Sequence, residues 1–131
     1  MYPKDLGLMD FIDNNVWIPV HTLPGFEACI EYYVNAKGDV KSTKGEIERI
    51  LKPKKKSSGY LFVNLTQRIG RNSIKTVPIH SLVAFAFLGR PSTPYGRTKG
   101  CSRVRHINKD RTDNRASNLI WIKLSDSKGL K

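Results

Sequence analysis

Cysteine is scarce: Cys29 and Cys101 are the only two, they lie far apart, and neither has a neighbouring cysteine. That excludes a CxxC zinc site and fits a reducing cytosol. Long apolar runs are missing too. The longest, Leu82–Leu88, falls well short of the roughly 20 residues a membrane helix needs, so no membrane partner is expected. The opening residues carry Asp5 and Asp10 rather than a basic stretch followed by an apolar one, so no secretory signal is expected and the cytoplasm is the expected location. Acidic residues are few, 11 against 23 Lys plus Arg, and the net charge is +12. An excess of that size points to a polyanionic partner. It is also uneven: five of the acids fall within residues 1–35, and the remainder of the chain is strongly basic.

The 131 residues, 39% of them hydrophobic and including two Trp and five Tyr, are enough for a modest core without disulfides. Residues 5–14 read as a short amphipathic turn or helix. Alternation over 26–34 predicts a strand, the turn at 35–39 leads to a second strand from Val40, and 60–65 and 75–79 predict two more. Between them lie a basic loop, Lys52 to Gly59, and a basic hairpin tip, Gln67 to Asn72. His80–Phe87 has helical composition and is stopped by Gly89 and Pro91. Residues 89–102 read as a loop. The final third predicts a strand ending near His106, a polar loop, a strand over 119–122 and a short terminal helix. The expected class is α+β, a small antiparallel β-sheet part followed by a ββα unit, divided into a segment 1–15, a β module 16–78 and a ββα unit 79–131.

The informative stretch is Val104-Arg105-His106-Ile107-Asn108-Lys109-Asp110-Arg111-Thr112-Asp113-Asn114-Arg115-Ala116-Ser117-Asn118-Leu119-Ile120-Trp121. A His ending a strand, a polar Asn-rich loop and then Asn-Leu-x-Trp closely resemble the HNH nuclease motif, above all in the HNH endonucleases encoded by bacteriophages, many of them homing endonucleases. His80-x-Leu82-Val83-Ala84-x-Ala86-Phe87 is similar to the helix that precedes HNH in that family. Trp17-x-Pro19-Val20, Leu23-Pro24-Gly25-Phe26-Glu27, Tyr33 to Ser42 and Gly59-Tyr60-Leu61-x-Val63 resemble the nuclease-associated module in front of it. The resemblance spans roughly residues 16–127.

It implies a metal-dependent DNA endonuclease. Phosphodiester hydrolysis needs a base to activate water, a divalent ion to stabilise the transition state, and a fixed phosphate. His106 is the implied base. Asn118 is implied to hold the loop through side-chain bonds to backbone, and Mg²⁺ or Mn²⁺ is the implied cofactor. The chain departs from the family's pattern just before the His: the usual acidic metal ligand is replaced by Arg105, which repels a cation and suits the scissile phosphate instead. On the final helix the ligand position falls at about Ser127, beside Asp126. Asp110 and Asp113 in the loop are further candidates, though both are also turn formers.

Double-stranded DNA is the implied partner, with no small-molecule cofactor. Lys41, Lys44, Lys52, Lys54, Lys55, Lys56, Arg68, Arg71 and Lys75 are candidates to track phosphates, and Arg90, Arg97, Lys99 and Arg103 flank the expected site. A solvated basic surface is the plainer reading of these charges. His80 reads as a structural link from strand to helix, His21 as a surface residue, Leu119 and Trp121 as core, and the two cysteines as inert. The alternative to the nuclease is an HNH-fold DNA-binding protein whose metal site has decayed. RNA binding has only the charge in its favour. Target sequence, nicking against double-strand cleavage, and oligomeric state are not legible.

Overall fold

The computed structural model describes residues 16–71, 73–89 and 102–123. Within them nine strands form three small antiparallel sheets. The first, in the order β1 (Trp17–Pro19), β2 (Tyr32–Asn35), β3 (Val40–Ser42), β4 (Arg49–Ile50), folds over a tight β2–β3 turn that pairs Val34 with Val40. The second is β5 (Lys54–Lys55), β6 (Leu61–Gln67), β7 (Ser73–Pro78); the third is the ribbon of β8 (Ser102–His106) and β9 (Leu119–Lys123), where His106 faces Leu119. One helix, α1 (Ile79–Phe87), follows β7 directly. The α+β class expected above is the one observed.

Periodicity explains most of this. Along β8, Ser102, Val104 and His106 are buried while Arg103 and Arg105 are exposed, the alternation a strand with one solvated face requires. Pro78 in extended conformation caps α1, and Ile79, Leu82 and Val83 then form an i, i+3, i+4 apolar stripe. Gly89, at φ +74°, follows its end. Val34, Val40, Val63, Leu65, Val77, Leu82, Val83, Val104 and Leu119 build one core, to which all three sheets and the helix contribute. The Tyr32 hydroxyl accepts from the buried Thr66 amide at 2.9 Å, tying the first sheet to the second. No helix among the described residues is long and apolar enough to cross a membrane.

Two local expectations fail. Residues 26–31 are turns, not strand: Phe26 N–H bonds Leu23 O and Cys29 N–H bonds Phe26 O, so Phe26 and Cys29 are buried at a spacing of three and the strand begins only at Tyr32. A brief alternation cannot separate that spacing from a strand. The basic loop contains an edge strand, β5, pairing Lys54 with Phe62 and Lys55 with Leu61. Lysines on an edge keep their charges in water while the backbone pairs, so charge gave no strand signal. The expected helix at 5–14, the loop through 90–101 and the terminal helix lie outside the described residues.

Candidate functional site

β8 delivers His106 to its buried end, 5% exposed, and a polar loop then returns the chain to β9. The loop is held from inside by Asn118. Its Oδ1 accepts from the Asn108 amide at 3.0 Å, and its Nδ2 donates to Asn108 Oδ1 at 3.0 Å and to Asp113 O at 2.8 Å. Ile107 N–H donates to Asn118 O at 2.7 Å, closing the loop at its neck. Lys109 sits at φ +67°, a left-handed turn position. Asp110 organises the same turn: its Oδ1 accepts from the Thr112 amide and hydroxyl, which hold its carboxyl below the usual range. Asp113 pairs with Arg115 at 2.9 Å, and that contact lowers its carboxyl in the same way.

His106 Nε2 lies 2.7 Å from Asn114 Oδ1, with both side chains buried. An amide oxygen only accepts, so Nε2 is the donor in this contact, and the tautomer that goes with it has its lone pair on Nδ1. Two rings stand beside it: His80, edge-on with centroids 5.2 Å apart, and Tyr60 at 5.8 Å. The buried His80 Nδ1 has no hydrogen-bond partner among the described residues. Burial, followed by the nearby His106 and Arg103, pushes the His80 pKa down to about 4, so this ring stays neutral beside His106.

A cleft of about 390 Å³ opens beside β8, lined by Tyr60, Arg103, Arg105, His106, Lys109 and Arg111, with Val104 and Ile122. Among the described residues, four cations and no carboxylate line it. Arg111 lies 4.7 Å over the Tyr60 ring and donates to Ser58 O, bridging the motif loop to the turn before β6. Such a cleft suits an anion. The carboxylate ligands that a hard divalent cation favours are not among the described residues lining it. Among the described residues no cluster of three His, Cys, Asp or Glu side chains is placed to hold a metal. Asp110 engages Thr112 through Oδ1 and does not line the cleft; Asp126 and Ser127 lie outside the described residues.

The structure thus brings His106, Arg103 and Arg105 to one cleft, with Asn118 behind it. The other described candidate cations are elsewhere. Lys41 sits 4.5 Å over Trp17 and pairs with Glu48, and Arg68 is doubly hydrogen-bonded to Glu31, so both are engaged within the fold. Lys56 covers Phe62 and Lys75 covers Phe26. Lys52, Lys54, Lys55 and Arg71 are exposed, while Arg90, Arg97 and Lys99 lie outside the described residues. Leu119 is buried, and Trp121 meets the Phe85 ring at 5.4 Å and donates to Gly89 O. Asn114, Tyr60, Lys109 and Arg111 carried no assignment from sequence. In an Asn-rich loop any Asn reads as a turn former, and the contacts that single these out are tertiary.

Residues 15–66 match the NUMOD4 motif. No curated protein matches the chain. The fold is similar to that of the HNH homing endonuclease I-HmuI, a protein described as binding and cleaving DNA: TM-score 0.62 and 25% identity over 88% of this chain. The match covers 56% of the I-HmuI chain, so this chain spans a little over half its length. The motif and the shared architecture together support an HNH-type endonuclease family for this chain.

Proposed function

We propose that this chain binds double-stranded DNA and hydrolyses its phosphodiester backbone, with His106 as general base. The observation that carries the reading is the 2.7 Å contact from His106 Nε2 to Asn114 Oδ1, which leaves Nδ1 as the basic nitrogen of a ring bordering a cationic cleft. Arg103, Arg105, Lys109 and Arg111 hold the phosphate, Nδ1 takes a proton from water, and the resulting hydroxide attacks phosphorus; the P–O bond to one sugar breaks, and the departing alkoxide takes a proton from solvent. Arg105, at the position where the resemblance expects an acid, serves as a phosphate clamp. Of the residues expected to hold Mg²⁺ or Mn²⁺, Asp110 does not line the cleft and Asp126 and Ser127 lie outside the described residues, so the described contribution to hydrolysis is a base and an anion site. The same cation-lined cleft favours a second reading, a DNA-binding protein that does not cut.

Supercoiled plasmid incubated with Mg²⁺, with Mn²⁺ and with EDTA tests the reading. Conversion to open circles in any of the three supports a nuclease and reports its metal dependence; binding without conversion in all three leaves the DNA-binding reading. Either reading predicts a cleft that senses salt. Arg103→Ala combined with Arg105→Ala is expected to flatten log K against log [salt] by about 2, one for each arginine taken from a phosphate. An unchanged slope in a binding titration places the phosphates elsewhere.

A further inference from the structure

The hydrogen bond that orients His106 is itself supported from a distant part of the chain. The β2–β3 turn is shaped by Asn35, whose Oδ1 accepts from the Lys37 and Asp39 amides at 3.1 and 2.9 Å. This presents Gly38, at φ +98°, against the motif loop: a Cβ there would lie 3.1 Å from Asn114 O, 3.2 Å from Asn114 Cβ and 3.3 Å from Asn114 C. Two residues on, Ala116 N–H donates to Ala36 O at 2.7 Å. Ala36, Asn114 and Ala116 are all buried, so the loop rests on the turn with no slack. His106 is fixed separately, by the pairing of β8 with β9. The relative position of Asn114 Oδ1 and His106 Nε2 is therefore set by the seating of one segment on the other.

We propose that the β2–β3 turn, through Gly38, is the positioning element for Asn114 and hence for the proton on His106. The N-terminal sheet thereby completes the site as well as contributing to the core. Gly38 is a positioning residue because it touches Asn114, not the reacting atoms. The functional meaning of this inference rests on His106 as the base, but the hydrogen bond can be measured whether or not the protein cuts DNA.

Imidazole ¹⁵N NMR on the full chain supplies the test, reading solvent exchange of the His106 Nε2 proton. Gly45 is the control: its φ is +88°, and an added Cβ would meet nothing within 4 Å. Gly45→Ala thus carries similar backbone strain without the clash. Gly38→Ala is expected to speed exchange of the Nε2 proton roughly ten-fold as the bond lengthens, and Gly45→Ala is expected to leave it as in the wild type. Equal exchange in all three proteins, or equal acceleration in both variants, overturns the proposal. Should Gly38→Ala fail to fold, Asn35→Ala removes the acceptor that shapes the turn without touching the motif loop. Unchanged protection of the proton there overturns the proposal just as firmly, and faster exchange supports it. If the wild type nicks DNA, Gly38→Ala is further expected to lower kcat while leaving DNA affinity alone. A wild type that does not nick removes the nuclease reading and leaves the NMR result standing.

Discussion

Asn114→Ala is expected to reduce strand cleavage by at least about 100-fold, the lower end of what a positioned general base supplies, while leaving DNA affinity unchanged. The side chain removed lines no part of the cationic cleft, so phosphate binding has no reason to suffer. What goes is the acceptor 2.7 Å from His106 Nε2. Without it the ring is free to rotate and to move its proton to Nδ1, the nitrogen needed as base. A buried donor is also left unpaired, at about 1–3 kcal/mol of stability. Asn114→Asp separates the two effects. It keeps an oxygen acceptor and so recovers most of the stability, but it favours imidazolium over the neutral base and recovers little of the rate at neutral pH. Chemical denaturation and single-turnover nicking of the same preparations check both. If Asn114→Ala cuts like the wild type, the orientation of His106 does not depend on this bond.

Acid is expected to destabilise the fold through His80. Burial and the neighbouring His106 and Arg103 hold its pKa at about 4 against an unfolded value of 6.5, so between those values the unfolded chain binds a proton that the folded chain does not. Stability therefore rises with pH across that window: it is fully present above 6.5, and about 3 kcal/mol is lost by the time pH falls to 4. Phe is close in shape to the ring packed between Tyr60 and His106 and cannot titrate. His80→Phe is accordingly expected to unfold along a flatter curve between pH 6.5 and 4. Thermal melts at half-unit intervals decide the matter, and parallel curves for the two proteins would clear His80 of any part in the acid sensitivity.

The ribbon that carries the site is legible because its signals are local. Ser102, Val104 and His106 alternate with two arginines, and the residues that shape the return loop lie within a dozen positions of one another. Residues 26–31 mislead because burial at a spacing of three imitates alternation over so short a run. The role of Asn114 is out of reach for a different reason. One Asn in a loop rich in Asn is set apart by its contact with His106 Nε2 and by lying against Gly38, a residue from another sheet much earlier in the chain. The candidate cations divide the same way. Arg103 and Arg105 follow from strand periodicity, whereas the engagement of Lys41 with Trp17 and of Arg68 with Glu31 depends on packing between elements. Asp110 has both of its readings open in the sequence, and in the fold its Oδ1 is engaged by Thr112 within the turn.

The most direct test of the account compares wild type and His106→Ala on supercoiled DNA, both proteins saturating the substrate and metal supplied alike. Equal binding with open circles appearing only in the wild type is the expected result. Nicking by His106→Ala at the wild-type rate would contradict the account, because the base would then lie outside the cleft built around β8.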